Sequence, residues 1–453
     1  MQKNSERKPA RFLGLFDVSA LMVSFVLGMG IFRTPVNVAA AIDSPLIYFL
    51  SWIAGGVVAF CGALTYAEIG SRLPVTGGYY KVFSYAYHPS IAFGINCIIL
   101  VSNAATLGAV ALVGGEYISS VIWPHVSPSE LMSYQTAIAL TSIILFYGVN
   151  LLGLKMSAYA QNVLTVVKVA LVVALITPLF FDTGKPVDLM AGSLHSQNFL
   201  AYLKAFGIGL VAVSFTYGGY QQTINFGEEI KNPQKTLPRA IFIGITLILV
   251  LYLLINYAYV KVIGYEDLGK APNIAAIMAS KVFGPAAEKI LSVLLFLSVL
   301  AYVNVLLMSN PRVMAAMSDD NILPPIFNKR NPKTEVLSAS ISVFAAACVL
   351  IVFWAKTFDA ILSFTIFLDC FGMVLSAAGI FILRRRARGT DDSGIFKVRW
   401  YPVLPLIFIT AYSFVGISIF ITETKISLIA IAVLSVFLAI YFVFIGKRRL
   451  RTQ

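Results

Sequence analysis

Two short stretches place glycine pairs and polar neighbours inside long apolar runs: Gly28-Met29-Gly30-Ile31-Phe32, and Ser214-Phe215-Thr216-Tyr217-Gly218-Gly219-Tyr220-Gln221-Gln222. Glycine pairs weaken a helix. Inside a bilayer a broken helix is tolerated only where the loosened backbone lines a cavity or is buried in protein. Such a break creates two new helix ends, one offering unpaired amides and the other unpaired carbonyls. The amides attract a carboxylate, and the carbonyls accept hydrogen bonds from an ammonium. Two breaks brought together therefore suit the backbone of an α-amino acid without any charged side chain. The plain alternative is that the glycines only let helices pack closely. Polar residues beside both pairs, five apolar spans apart, argue against it.

Lys168 is the third candidate, near the middle of the apolar run 157–181. A cation at the bilayer centre costs roughly 2.5–3.5 kcal/mol on insertion scales. It is too far from either end of its span to reach the interface, so it is expected to face a polar interior. A purely structural cation is the alternative. Arg33 lies just beyond the first break, and Asp369 lies about halfway along the tenth span. Together they are candidates for an outer gate; local pairing of each with backbone or water is the plain reading. Glu68, Glu228 and Glu229 fall at the expected inner helix ends, where Arg72, Lys231 and Arg239 are available to form an inner gate. Solvated ends at headgroup level explain them equally well.

The elements that must hold these groups follow from composition. Hydrophobic residues make up 58% of the 453, and charged residues only 12%, about half the charged share of a soluble domain. A membrane-crossing helix needs about 20 mostly apolar residues. Spans are expected at 14–41, 46–70, 90–120, 133–152, 157–181, 201–227, 238–262, 285–311, 336–355, 359–383, 400–422 and 426–446. The breaks fall in the first and sixth, each the first of a set of five, the arrangement expected of an inverted repeat. Most basic residues, including Arg384, Arg385, Arg386 and Lys447, sit in alternate loops, which predicts both termini in the cytoplasm and an even number of spans. The expected organisation is a cytoplasmic N-terminus 1–13, five helices over 14–181, an inverted five over 201–383, two more over 400–446 and a cytoplasmic C-terminus 447–453. The apolar stretch after the basic N-terminus is too long for a cleavable signal peptide.

Several function classes drop out. The net charge of +13 does not point to nucleic acid, because the charges lie in short loops rather than along one polar face. Cys61, Cys97, Cys348 and Cys370 all fall inside apolar spans, so no disulfide framework is expected. His88, His125 and His195 are too far apart for a metal site. No P-loop, nucleophile elbow or zinc spacing occurs. The expectation is a protein that is not an enzyme and needs no cofactor or metal.

At the level of motifs the chain resembles the amino acid–polyamine–organocation (APC) superfamily, and within it the L-type amino acid transporters and their bacterial relatives. Gly28-Met29-Gly30-Ile31-Phe32 is similar to that family's G-[ST]-G-I-F. Tyr66-Ala67-Glu68-Ile69-Gly70 with Pro74-Val75-Thr76-Gly77-Gly78-Tyr79-Tyr80 is similar to A-E-[LI]-G…P-x-[TS]-G-G-x-Y. Phe215-Thr216-Tyr217-Gly218-Gly219-Tyr220 is similar to F-[AS]-Y-G-G-W, with Tyr220 in place of the tryptophan, and Glu228-Glu229-Ile230-Lys231-Asn232-Pro233 followed by Leu237-Pro238-Arg239-Ala240-Ile241 is close to E-E-[ILM]-x-N-P…L-P-R-A-I.

The resemblance implies an all-α integral membrane protein of the LeuT type, with 12 transmembrane helices, a 5 + 5 inverted repeat and broken helices 1 and 6. It implies substrate contacts from Val26, Gly28, Met29, Gly30 and Ile31. Phe215 would be an aromatic gate, and Tyr217 and Gly218 would supply carbonyls and a wall. It places the Lys168 ammonium where related carriers bind sodium, near the carbonyls of Val26 and Leu27 and facing Ala301, Asn304 and Ser309. Met29 stands where the family has a small hydroxyl residue, so that contact to the carboxylate is lost. The outer loop 121–130 lacks the cysteine by which animal members bond a heavy chain, so no disulfide-linked heavy chain is expected. For the aromatic cluster Tyr79, Tyr80, Tyr85 and Tyr87, membrane anchoring is the usual explanation; the family implies a short helix along the inner leaflet.

The function expected from all of this is sodium-independent transport of neutral L-amino acids across the plasma membrane, by exchange or proton-coupled uptake. With no evident carboxylate in the pocket, a cationic substrate is the weaker reading; a cationic amino acid or polyamine carrier would need Asp369 there. A sensor on the same fold is the alternative of another class.

Overall fold

The computed structural model describes residues 11–180, 188–189, 199–271, 274–354, 358–387 and 394–445. The first span consists of α1 (Leu15–Val26) and α2 (Gly30–Ala41), followed by α3 (Pro45–Arg72), the short α4 (Gly78–Ala86) and α5 (Pro89–Ile122). Then come α6 (Pro128–Leu151), α7 (Leu154–Ile176), α8 (Phe199–Thr216), α9 (Pro233–Ile263), α10 (Tyr265–Leu268) and α11 (Ile274–Phe283). The last are α12 (Pro285–Asp319), α13 (Ser338–Trp354), α14 (Phe358–Arg386), α15 (Val403–Thr422) and α16 (Thr424–Ile440). Proline opens α3, α5, α6, α9 and α12, where its missing amide costs no helical bond.

Among the described residues ten helical segments are long and apolar enough to cross a membrane, with α1 and α2 counted together. The expected sixth and ninth spans correspond to α8 and α13, which are not among these ten. No strand occurs among the described residues, only isolated bridges between Leu13 and Ile230 and between Thr76 and Phe226. Many side chains on outer helix faces, such as Phe242, Leu350, Ile421 and Phe444, are exposed and apolar. In water such a surface would be strongly unfavourable; against lipid chains it is not. The chain is a multi-pass, all-helical membrane protein.

Both expected breaks are present. α1 stops at Val26, and the Gly28 amide turns back to the Val26 carbonyl at 2.7 Å before α2 begins at Gly30. α8 stops at Thr216, and Gly219 takes a left-handed φ of +110° before a 3-10 turn over Tyr220–Asn225. α1 packs on that 3-10 turn, while α2 packs on α8. Each half-helix therefore lies beside the opposite half of the other span. The two broken spans run antiparallel, and their breaks meet. A Cβ on Gly219 would stand 2.5 Å from the Phe25 carbonyl oxygen, so this meeting requires glycine both for its backbone angle and for its size.

Ion pairs gather at one end of the bundle. Glu68, fully buried on α3, accepts from Arg72 at 2.8 Å, from Arg384 at 2.6 Å and from the Val398 amide at 2.8 Å. Glu229 accepts from Arg312 at 3.1 Å and lies 3.5 Å from Arg330. Glu228 instead accepts from the Thr76 hydroxyl at 2.8 Å. The acids at this end are those expected from the sequence, but their partners come largely from α12, α14 and the segment after α12. Among the described residues neither Lys231 nor Arg239 joins them in an ion pair. The N-terminal segment ties in as well, since the amides of Phe12 and Leu13 both donate to the Glu229 carbonyl.

α4 is the short helix that the family resemblance implied. Tyr79 and Tyr80 are buried, so anchoring at the membrane surface does not describe them; Tyr85 alone of the four is exposed. Lys81, Ser84 and Tyr80 all donate to Asp320 at the end of α12, at 2.6, 2.6 and 2.9 Å. Burial pushes the Asp320 carboxyl up, but these donors and the Lys81 charge outweigh it and hold its pKa below the usual value.

Removing the Glu68 carboxylate strands two arginines in a poorly solvated layer, a loss on the order of 3 kcal/mol. Glu68→Ala is expected to lower the thermal unfolding midpoint in detergent by several degrees. An unchanged midpoint would show that this cluster contributes nothing to stability.

Candidate substrate cavity

A cavity of about 80 Å³ opens where the two breaks meet. That is several times the space one water needs. Its walls include Val26, Gly28, Met29 and Gly30 from the first break and Ser214, Phe215, Thr216, Gly218 and Gly219 from the second. The remaining wall comes from α5, α12, α14 and α15, through Asn103, Thr106, Val110, Tyr302, Asp369, Met373 and Tyr412. On α5, Asn103, Thr106 and Val110 recur at i, i+3 and i+7, one helix face.

Helix ends set the electrostatics. α2 starts at the cavity, so the amides of Gly30 and Ile31 begin a helix and have no acceptor within it. α1 and α8 both end at the cavity, each turning the carbonyl end of its dipole toward it. The helix ends thus supply one end suited to an anion and two suited to a cation, and Asp369 adds a side-chain carboxylate to the wall. Gly28 stands open toward the cavity: a Cβ there would meet only the Tyr302 ring and the Val26 carbonyl oxygen, both at an ordinary 3.9 Å. Gly30 is packed tightly, with its Cβ position 3.0 Å from the Thr216 side chain. Thr216 donates in turn to the Thr34 hydroxyl at 2.8 Å.

Some of the freed backbone groups are satisfied internally. The Gly219 amide donates to the Gln221 side chain at 3.0 Å, a local cap. The Tyr252 hydroxyl, projecting from α9, reaches the Val26 carbonyl at 2.8 Å and the Thr216 carbonyl at 3.3 Å. One phenol therefore spans the last turns of α1 and α8. A chain of amides and hydroxyls also leads away from the cavity. Gln222 donates to Asn103 at 3.2 Å, and Asn103 donates to Asn310 at 2.7 Å. Ser309 donates to Gln222 at 3.2 Å, Asn225 donates to Ser309 at 3.0 Å, and the Tyr79 amide at the start of α4 donates to Asn225 at 3.0 Å.

Of the residues expected at the site, Val26, Gly28, Met29, Gly30, Phe215 and Gly218 line the cavity. Ile31 and Tyr217 do not. The Tyr217 ring turns away and packs against Trp52 and Tyr252, with centroids 6.0 and 5.0 Å apart. Asp369 does line the cavity, and among the described residues its carboxylate has no ion-pair partner. This removes the ground on which a cationic substrate was disfavoured, namely the lack of a carboxylate in the pocket. Arg33 is not part of the cavity wall.

Lys168 is fully buried on α7, which packs on α1 and α12. One turn before it, the Thr165 hydroxyl meets that of Ser24 on α1 at 2.6 Å. The Lys168 ammonium nitrogen makes no hydrogen bond among the described residues. Tyr252, rather than Lys168, holds the Val26 carbonyl. Asn304, expected to face Lys168, donates to Gln161 at 2.8 Å and to the Ser157 carbonyl at 3.1 Å.

Tyr252 is the site residue that the motifs did not indicate. Its only local signal is a hydroxyl in an otherwise apolar run, four residues before Asn256, which accepts from the Tyr48 hydroxyl. Tyr302 and Tyr412 gave no better signal.

Residues 13–453 match the profile of a family described as "Amino acid permease". The serine/threonine exchanger SteT of Bacillus subtilis (strain 168) is 26% identical over 417 residues, which cover 91% of this chain and 92% of that protein. The large neutral amino acids transporter small subunit 2 of Mus musculus is 26% identical over 444 residues, covering 95% and 80%. The b(0,+)-type amino acid transporter 1 of Mus musculus is 29% identical over 279 residues, covering 61% and 56%.

Two substitutions test the geometry. Tyr252→Phe leaves two buried carbonyls short of a donor, worth about 1–3 kcal/mol. It is expected to cut amino acid uptake by roughly tenfold or more at unchanged expression; wild-type uptake would remove Tyr252 from the site. Lys168→Ala is expected to reduce uptake more than it reduces membrane insertion, and full uptake would make Lys168 a structural cation.

Proposed function

The chain belongs to the amino acid permease family, and we propose that it carries amino acids across the plasma membrane by alternating access, independently of sodium. The observation that carries this reading is the meeting of two helix breaks in one cavity. Amides of α2 face the end suited to the carboxylate, and the carbonyl ends of α1 and α8 face the end suited to the ammonium. The antiparallel contact of the two broken spans supports a LeuT-type 5 + 5 inverted repeat. In this reading α8 and α13 cross the membrane too, bringing the count to twelve, with 14–181 and 201–383 as the two repeats and both termini in the cytoplasm. Phe215, on the cavity wall, is the candidate gate. Lys168 takes the place of a sodium ion beside the broken first span, which argues for exchange or proton coupling. No disulfide-linked heavy chain takes part.

Neutral L-amino acids are the first reading for the substrate. The small cavity and the names of two relatives, an exchanger of serine and threonine and a transporter of large neutral amino acids, support it. Asp369 supports a second reading. A carboxylate on the cavity wall with no countercharge among the described residues suits a substrate whose side chain carries a cation. A cationic amino acid or a polyamine has that chemistry.

Purified protein in liposomes preloaded with single amino acids distinguishes these readings. Radiolabelled uptake that requires internal amino acid establishes exchange, and uptake driven by an imposed pH gradient establishes proton coupling. No uptake of any amino acid under either condition would overturn the transport reading and favour a sensor. Asp369→Asn is expected to abolish uptake of lysine or arginine if the second reading holds. It should leave serine or leucine uptake within a few-fold if the first does.

A further inference from the structure

We propose that an anionic phospholipid binds at the end of α9 nearest the ion-pair cluster, with its phosphate held by Lys235 and Arg239. A groove of about 540 Å³ lies there between the first turns of α9 and the segment Gly394–Phe396. Lys235, Arg239 and Phe242 line it at i, i+4 and i+7, one face of the helix. Four other arginines at this end, Arg72, Arg312, Arg330 and Arg384, are committed to Glu68 or Glu229. Among the described residues Lys235 and Arg239 have no carboxylate partner, and both are exposed. The groove is built on both sides. The Phe396 amide donates to the Ser71 hydroxyl at 3.0 Å, and that hydroxyl donates to the Gln234 carbonyl at 3.2 Å, which fixes the loop against the helix.

Length sets the depth of this groove in the bilayer. α9 has 31 residues and is ~46 Å long at 1.5 Å per residue. The hydrocarbon core is about 30 Å thick. If α9 is centred, roughly five residues project beyond the core at each end. Lys235 then stands at headgroup level, with Arg239 at the boundary. Phe242 and Ile243, 49% and 46% exposed, lie just inside, where an acyl chain would run. The cations end where the apolar surface begins, which matches the order of a lipid's own groups. Free phosphate would use only the upper half of this groove. A zwitterionic lipid brings its own cation, which Lys235 and Arg239 would repel.

Native mass spectrometry of the delipidated protein tests this with phosphatidylglycerol and phosphatidylcholine. Wild type is expected to retain phosphatidylglycerol preferentially, and Lys235→Gln/Arg239→Gln to retain at least fivefold less. The charge-conserving Lys235→Arg/Arg239→Lys should retain the wild-type amount, which separates loss of the site from loss of the fold. Equal phosphatidylglycerol on wild type and the glutamine variant would overturn the proposal, as would equal retention of the two lipids by wild type. Displacement of phosphatidylglycerol by millimolar inorganic phosphate would also overturn it in favour of a phosphate site. None of these outcomes depends on what the central cavity carries.

Discussion

A bilayer offers no water to a broken helix, and this constraint organises the molecule. Interrupting two spans at mid-membrane frees backbone groups that must find partners inside the protein. Some do so at once: Gln221 folds back on the Gly219 amide, and Tyr252 reaches the last carbonyls of both α1 and α8. The groups left facing the cavity are those a small zwitterion can satisfy. Leaving a buried donor or acceptor unpaired costs about 1–3 kcal/mol, so the same physics that makes the breaks expensive makes them selective for a ligand.

The breaks also couple the cavity to the ends of the bundle. Gln222, on the cavity wall, begins a hydrogen-bonded chain through Ser309 and Asn225 to the Tyr79 amide. Tyr79 opens α4, and α4 is fastened to α12 through Lys81 and Asp320. At its N-terminal edge, Gly77 adopts a φ of +63°, and a Cβ there would stand 2.6 Å from the Arg312 carbonyl oxygen. Arg312 is itself paired with Glu229, just beyond the second broken span. A change in the unwound segment thus meets a continuous series of polar and close-packed contacts reaching the ion-pair cluster.

Two buried or half-buried charges stand in contrasting settings. Lys168 is enclosed on α7 behind the first broken span, its nitrogen without a hydrogen bond among the described residues. Asp369 faces the cavity, where a ligand or water can reach it. An enclosed charge acts on the backbone packed around it, whereas an open one acts on what enters.

Much of this was legible in residue order. Apolar runs located the spans, since a crossing helix needs about 20 such residues. Gly28–Gly30 and Gly218–Gly219 located the breaks, since paired glycines weaken a helix and admit backbone angles that other residues avoid. Glu68 and Glu229 stood out as acids at helix ends. Arg72, one turn along, was a foreseeable partner for Glu68; Arg384, Arg312 and Arg330 were not, because they come from segments far along the chain. Nor was the cavity role of Asp369, the turning away of Tyr217 or the reach of Tyr252. The reason is rotational. A soluble helix advertises its inner face by alternating apolar with polar residues. In a bilayer both faces are apolar, because lipid is as apolar as a protein core. The sequence by itself therefore determined where the chain crosses and where it breaks. Which face of each helix looks into the cavity was decided only by packing.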